Sequence, residues 1–373
     1  LAQRLMEMHG AKATAACESA ASGEPGVSAV AGAAARKAET AEGAPEDSIA
    51  VIGMAGRFPG AGNTYELWTK LVRGEDCITE APSGRWSGRT SRNGGDGARR
   101  GGFLRDFDRF DARFFRIAPR QAALMDPQQR VFLEVCWAAM EDAGCTRERL
   151  SRNTGVYAGV SDGGYSWCAA EEAARGNAHF PDADLSDAAN RVSHHLDLHG
   201  PSLSVDTACS ASLTAVHLAV EALRNKECDM AFAGGVSLSL HPSRNERFME
   251  KGMLTRDGRC KPFGDGEGGF VEGEGACVLL LKPLRDALRD NDHIYGVIRG
   301  SAMNSGGRTG GYTVPDPSAQ EELIVRALER SGVAPRTISC IEAHGTGTSL
   351  GDPIEIEGLA RAFRRYTGDA GFC

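Results

Sequence analysis

Several short segments of this chain are apolar at almost every position, and this feature limits the folds that are open to it. The segments Ser48–Gly53, Thr154–Val160 and Cys277–Leu281 have the length of strands, and polar residues do not alternate with apolar ones along them. A strand of this kind is buried on both of its faces. Because helical patterns separate these segments, we predict an α/β fold whose sheets are covered by helices on both sides.

The same alternation continues along the chain. Asp126 and Pro127 predict the start of a helix, since aspartate caps helices and proline suits their first turn, and Gly144 predicts its end. We predict further strands over residues 202–205, 230–234, 294–298 and 337–342, and further helices over residues 212–223 and 320–331. The recurrence of strand, helix and strand in both halves is compatible with an internal duplication.

Composition excludes several classes of function. The chain has 373 residues, of which 41% are hydrophobic, and a net charge of −8 without a basic block, which argues against a nucleic-acid surface. No run approaches the roughly 20 apolar residues of a membrane span, and the N-terminus lacks the pattern of a signal peptide. The 11 cysteines show neither a Cys-x-x-Cys pair nor zinc spacing. We therefore expect a cytoplasmic protein without a metal.

The N-terminal region has a different composition from the rest. Residues 1–9 resemble the last turns of a helix, and residues 10–46 are rich in Ala, Gly, Ser and Glu without apolar periodicity, which is typical of a linker. Ordered sequence begins at Asp47. We interpret the chain as a piece cut from a longer polypeptide, and a frayed natural N-terminus is the alternative.

One segment places a cysteine between a strand and a helix. The strand over residues 202–205 leads through Asp206-Thr207-Ala208 into Cys209, and the helix from Ser212 follows. At a helix N-terminus the free N–H groups and the helix dipole favour the thiolate, and the same N–H groups can bind an oxyanion. Cys209 is therefore a candidate nucleophile. The alternative is a buried cysteine that only packs against the core.

A second segment places a histidine before a loop of small residues. The predicted strand over residues 337–342 runs into His344-Gly345-Thr346-Gly347-Thr348, and a helix follows from about Pro353. A histidine at the end of a strand is well placed for acid–base or hydrogen-bond work, and the two threonines offer hydroxyl groups beside it. A satisfied structural histidine is the alternative.

Together these two segments resemble the active-site motifs of β-ketoacyl synthases, in particular the ketosynthase domains of bacterial modular polyketide synthases. The resemblance covers residues 47–373. The stretch Asn304–Gly311 is most similar to ketosynthases whose acyltransferase acts in trans. Further matching landmarks are Val51–Gly60, Met125–Arg130, Gly200–Ser202, Gly234–Val236 and Lys261–Phe263.

The resemblance implies a thiolase-like fold, in which two βαβαβ halves form α/β/α/β/α layers, usually in a homodimer. It divides the chain into an N-terminal half over residues 47–288 and a partial C-terminal half over residues 289–373, and it makes residues 1–9 the tail of an upstream carrier-protein domain. Acyl carrier proteins and neighbouring polyketide synthase domains are the implied partners. The domain itself would bind no cofactor, because phosphopantetheine arrives on the carrier protein.

The implied reaction has two stages. Cys209 takes an acyl group from a carrier-protein phosphopantetheine, and a malonyl-type extender then loses carbon dioxide and attacks the acyl thioester. His344 matches the histidine that assists decarboxylation, and Thr346 and Thr348 match hydroxyls that contact the pantetheine arm. The backbone N–H of Cys209 matches one half of the oxyanion hole.

The chain departs from the family pattern at its C-terminal side. The sequence has no Lys-Ser-Asn-Ile-Gly-His segment, which carries the second family histidine, and no C-terminal glycine-rich loop. We interpret both absences as truncation, so that the second half is incomplete. His194, His195 and His217 do not match the second histidine. Three alternatives to a condensing enzyme remain: a non-elongating ketosynthase that relays acyl chains, an inactive fragment, and a biosynthetic thiolase.

Overall fold

The computed structural model describes residues 45, 47–86, 100–177, 181–266 and 268–368. The predicted helix tail over residues 1–9 lies outside the described residues, and so does the predicted linker over residues 10–46 apart from residue 45. The description below concerns the described residues alone.

A mixed sheet of six strands forms the centre of the structure, with the strand order β5-β4-β6-β7-β1-β8. Strands β4, β5 and β6 are parallel, whereas β7 pairs antiparallel with β6 and β1, and β8 pairs antiparallel with β1. Strands β2 and β3 pair antiparallel with each other, apart from this sheet. The strands are β1 (Ile49–Arg57), β2 (Thr79–Glu80), β3 (Arg100–Gly101), β4 (Thr154–Val160), β5 (Ser202–Val205), β6 (Met230–Ser237), β7 (Gly275–Pro283) and β8 (Gly296–Ile298).

Helices cover both faces of this sheet. The helices of the described residues are α1 (Thr64–Arg73), α2 (Pro119–Leu124), α3 (Pro127–Asp142), α4 (Tyr165–Ala174), α5 (Asp187–Leu196), α6 (Ala211–Arg224), α7 (Ser243–Glu250), α8 (Leu284–Arg289), α9 (Pro317–Ser331) and α10 (Gly351–Arg364). Within the part of the chain that the structure describes, no helix has the length and apolar character of a membrane span.

Helix α3 packs against one face of the sheet, as its apolar pattern predicts. The Asp126 carboxylate accepts a hydrogen bond from the Gln128 N–H, and Pro127 occupies the first turn. Six apolar residues at helical spacing along it are all buried: Val131, Phe132, Val135, Cys136, Ala139 and Met140. Together with α5 this helix buries the larger of two apolar clusters.

Helix α6 packs against the opposite face of the sheet. Its apolar Leu213 is 74% exposed, and the buried positions are mostly alanines, such as Ala215 and Ala219. The helix approaches the sheet very closely: a Cβ at Gly159 in β4 would lie 2.5 Å from the Ser212 nitrogen. Only small side chains fit such a contact, so the helix buries its alanine face.

The strand predicted over residues 337–342 is wrong. A 3-10 turn covers Pro335–Thr337, and residues 338–344 are irregular and mostly exposed. Within the described residues no strand lies beside this segment, and a strand without a neighbour has no ladder hydrogen bonds to stabilise it. Of the two sheets that the resemblance implies, the described residues form one, which ends with β8.

Candidate active site

Cys209 lies in the tight turn between strand β5 and helix α6. A single 3-10 turn, Ala208–Ser210, connects to the first residue of α6, Ala211. Ala208 adopts a left-handed conformation with φ of 55°, which is uncommon for a residue with a side chain. This turn leaves Cys209 exposed at the N-terminal end of the helix, as the sequence predicts.

Side chains of the turn and of the neighbouring strand hold this conformation. The Asp206 carboxylate accepts hydrogen bonds from the Ala208 N–H, at 2.9 Å, and from the Ser161 hydroxyl, at 2.7 Å. The Ser210 hydroxyl donates to the Thr207 carbonyl at 2.9 Å. Because Ser161 follows strand β4, the Cys209 turn is connected to two adjacent strands of the sheet.

His344 lies in a loop that the carboxylate of helix α10 organises. The Glu355 carboxylate accepts one hydrogen bond from the His344 N–H, at 2.6 Å, and one from the Gly345 N–H, at 2.9 Å. Gly345 and Gly347 have φ values of 54° and 67°, in the left-handed region that glycine adopts readily. The loop therefore turns twice within four residues while Glu355 fixes its start.

The buried carboxylate of Asp352 organises the rest of the same loop. It accepts hydrogen bonds from the Gly347 N–H, at 3.1 Å, and from the Phe263 N–H, at 2.7 Å, so that it connects two loops. The Thr346 and Thr348 hydroxyl groups lie 2.9 Å apart and hydrogen-bond to each other. The hydroxyl groups of the two threonines that are predicted to contact pantetheine are thus oriented within the loop.

The structure brings Cys209 and His344 into hydrogen-bond contact, although the two residues lie far apart in the sequence. The hydrogen bond from His344 is the main cause that lowers the pKa of the Cys209 thiol, against the opposing effect of burial. The same bond raises the pKa of His344, and the charge of Glu355 contributes in the same direction. Both shifts favour a thiolate beside an imidazolium, which is the reactive form of such a pair.

The other histidines that the sequence analysis considered lie apart from this pair. His194 and His195 are in the last turn of α5, where their rings contact each other and His195 packs near Phe115. The His217 ring hydrogen-bonds to the Ser301 hydroxyl at 2.8 Å. None of the three takes part in the contacts around Cys209.

Sequence reasoning missed the carboxylates that orient this site. Asp206, Asp352 and Glu355 each accept backbone N–H groups within the two loops that carry Cys209 and His344. Asp352 and Glu355 lie in the first turns of α10, directly after the glycine-rich loop whose N–H groups they accept, and that position is a usable signal for loop-capping carboxylates. In the described ranges, no group of three or more His, Cys, Asp or Glu residues could hold a metal ion.

Two families match nearly all of the described chain. Residues 46–287 match the β-ketoacyl synthase N-terminal domain, and residues 295–372 match the β-ketoacyl synthase C-terminal domain.

Curated relatives are large polyketide synthases. The chain is 51% identical over 340 residues to polyketide synthase PksM of Bacillus subtilis, and 48% identical over 335 residues to polyketide synthase ThaG of Burkholderia thailandensis. Each alignment covers 88% of this chain but only 8% and 6% of the respective relatives. The chain therefore corresponds to a small part of each relative.

Solved structures of ketosynthase domains share this fold. The oxazolomycin ketosynthase domain of Streptomyces albus superimposes with a TM-score of 0.83 at 43% identity, over 87% of this chain and 57% of that one. The ketosynthase from module 6 of the bacillaene synthase of Bacillus subtilis gives a TM-score of 0.80 at 43% identity, over 87% and 56%. The thiolase-like fold implied by the sequence is confirmed.

Proposed function

The chain belongs to the β-ketoacyl synthase family, and from this premise we propose that it forms carbon–carbon bonds by decarboxylative condensation, with Cys209 as the nucleophile. The observation that supports this proposal is the hydrogen bond between the Cys209 thiol and the His344 imidazole at the N-terminal end of helix α6. A cysteine that only packs against the core would need neither a histidine partner nor a position at a helix N-terminus.

In the first stage the Cys209 thiolate attacks the thioester carbonyl of an acyl-phosphopantetheine. A bond forms between the Cys209 sulfur and the carbonyl carbon, and the bond to the carrier sulfur breaks. The carrier thiolate leaves and takes up a proton. The Cys209 N–H, in the turn before α6, donates to the oxyanion that develops at the carbonyl oxygen, and its position at the start of the helix supports this role.

In the second stage a malonyl-type extender on a carrier protein loses carbon dioxide. His344 stabilises the resulting enolate, whose carbon attacks the acyl-Cys209 carbonyl, and the Cys209 thiolate leaves. The products are a β-ketoacyl carrier protein and the free enzyme. Thr346 and Thr348 contact the pantetheine arm, and the hydrogen bond between their hydroxyl groups in the His344 loop supports this role.

The surrounding assembly follows from the same premise. We propose acyl carrier proteins and neighbouring polyketide synthase domains as partners, a homodimer as the assembly and the cytoplasm as the location. The chain would bind no cofactor of its own. We retain the boundaries of the two halves, residues 47–288 and 289–373, and the assignment to the type whose acyltransferase acts in trans, which is supported by the stretch Asn304–Gly311.

A second candidate function is an acyl relay that loads Cys209 and passes the chain on without condensation. The loading stage, which is all that such a relay requires, uses the same Cys209 thiolate beside His344.

Intact-mass analysis separates the two candidates. The protein is exposed first to a short acyl thioester and then to a malonyl-loaded carrier protein, with Cys209→Ser as the control. A condensing enzyme gains acyl mass on the wild type alone and then releases it as a β-ketoacyl carrier. A relay gains the mass but never condenses. If the wild type gains no mass, Cys209 is not the nucleophile and the proposal falls.

A further inference from the structure

Arg244, near the start of helix α7, is held on several sides by fixed partners. Its Nε lies 2.5 Å from a Glu272 carboxylate oxygen, and one terminal nitrogen donates to the Ser237 hydroxyl at 3.2 Å. The other terminal nitrogen donates to the Asp162 carbonyl at 3.4 Å, and the guanidinium carbon lies 5.9 Å from the centre of the Phe248 ring. The side chain is only 17% exposed. The positive charge of Arg244 is therefore fixed in position.

These partners place Arg244 at the same edge of the sheet as Cys209. Ser237 ends strand β6 and Asp162 follows strand β4, whereas the Cys209 turn follows strand β5. Because these three strands are parallel, their carboxyl ends meet at one edge. In open α/β sheets this edge is where ligands bind.

A chain of hydrogen bonds also connects Arg244 to the Cys209 turn. Arg244 donates to Asp162, and the preceding residue, Ser161, donates to the Asp206 carboxylate. That carboxylate in turn accepts the Ala208 N–H, one residue before Cys209. A change at Arg244 is thus transmitted to the turn both through bonds and through the electric field.

Glu272 restrains Arg244 from a buried position. Its side chain is 8% exposed, and one of its carboxylate oxygens is buried without a hydrogen-bond partner among the described residues. Burial raises the pKa of Glu272, and the charges of Arg244 and Arg247 oppose that effect. A buried carboxylate of this kind depends on its ion pair, so Glu272 and Arg244 hold each other in place.

We propose that Arg244 is a positioning residue for the reaction, which provides a fixed positive charge beside Cys209 and so favours the ionised thiol, and that Glu272 moderates this charge. The inference rests on the proposed function of Cys209 as the nucleophile. The charged groups around the thiol are His344 from the loop before α10, Arg244 from α7 and Asp206 from the turn itself. Arg244 lowers the pKa of Cys209, and its effect is smaller than that of His344.

Opposite charges on the two partners distinguish this role from a merely structural one. If the ion pair only holds the fold together, loss of either partner loosens the site and shifts the ionisation of Cys209 in the same direction. If the charge of Arg244 acts on the thiol, Arg244→Met raises the pKa of Cys209. Glu272→Gln then lowers this pKa, because the positive charge is no longer moderated.

The test is the pH dependence of Cys209 alkylation by iodoacetamide. The chain has 11 cysteines, so peptide mass mapping is needed to separate the alkylation of Cys209 from that of the others. For scale, a unit charge at about the Debye length of physiological salt, roughly 8 Å, changes an ionisation in water, with a dielectric constant of about 80, by up to about 0.4 pH unit. We expect the alkylation midpoint to rise by about that amount in Arg244→Met, which is about a 2.5-fold lower rate below the midpoint, and to fall by about that amount in Glu272→Gln.

Two further variants complete the design. Arg244→Lys keeps the charge and is expected to restore the wild-type midpoint, and Lys251→Met removes an exposed cation directly after the same helix and is expected to change nothing. If Arg244→Met does not fold, the direction of the shift in Glu272→Gln decides alone. Shifts in the same direction for both partners, or no shift, overturn the inference. Alkylation requires no acyl transfer, so a failed acyl-loading assay overturns the proposed function separately.

Discussion

Replacement of Glu355 by glutamine tests whether the order of the His344 loop controls the reactivity of Cys209. The two carboxylate oxygens of Glu355 accept the N–H groups of His344 and Gly345, at 2.6 and 2.9 Å. Glutamine has a similar shape but only one acceptor oxygen, and its amide NH2 group would face a backbone N–H donor. The substitution therefore removes one hydrogen bond, weakens the other and leaves the volume of the side chain unchanged.

The size of the effect follows from these contacts. A hydrogen bond to a charged group contributes roughly 1.5–3 kcal/mol, and a neutral one about 1 kcal/mol. Glu355→Gln should therefore cost the ordered loop about 2 kcal/mol, which corresponds to about a 30-fold lower ratio of the ordered to the disordered loop. Glu355 also raises the pKa of His344, so its neutralisation lowers the fraction of imidazolium that stabilises the Cys209 thiolate.

The assay is the rate of Cys209 acylation by a short acyl thioester at neutral pH, followed by intact mass. We expect Glu355→Gln to lower the rate by roughly 10- to 30-fold. The matched control is Glu357→Gln on the same helix, whose carboxylate pairs with Arg361 near the surface and should change the rate less than about twofold. Equal rates for the two variants would refute the reasoning that the Glu355 contacts order the His344 loop.

Three further predictions concern stability, each measured as the free energy of unfolding in denaturant. Arg85 and Glu274 form an ion pair whose side chains are 1% and 2% exposed, so Arg85→Met should lower the free energy of unfolding by about 3–5 kcal/mol. The control is Arg73→Met, at a side chain that is 68% exposed, which should lower it by less than about 1 kcal/mol. Gly159→Ala places a Cβ 2.5 Å from the backbone of α6 and should cost about 1–3 kcal/mol, whereas Gly296→Ala, with no atom within 4 Å, should cost less. Burial raises the pKa of Asp126 from 3.8 to about 6, and a carboxyl group with a raised pKa in the folded protein makes folding less favourable once it ionises. The unfolding free energy should therefore fall as the pH rises from about 4 to about 6, and Asp126→Asn, which can still cap helix α3, should flatten that dependence; an unchanged slope would contradict this assignment.

Local sequence patterns predicted most of the secondary structure. Strand β4 and strand β5 have the bounds that their apolar runs predict, and helix α3 begins at Pro127 and buries the predicted face. The prediction failed at residues 337–342, which have strand-like composition but no neighbouring strand in the described part of the chain. In helix α6 the apolar Leu213 is 74% exposed, because the close contact with Gly159 selects the alanine face. The apolar periodicity of a segment indicates its preferred secondary structure, but it does not indicate the shape of the surface against which the segment packs.

For the candidate site, too, the sequence indicated some features and the tertiary structure decided the others. The sequence by itself indicated Cys209 at a helix N-terminus and His344 before a glycine-rich loop, because both placements depend on neighbouring residues alone. Only the tertiary structure decided that these two side chains share a hydrogen bond and that Glu355 holds the His344 loop. It also decided that Arg244 reaches the same edge of the sheet. These contacts join residues far apart in the chain, and the packing of parallel strands and their helices, not local propensity, brings them together.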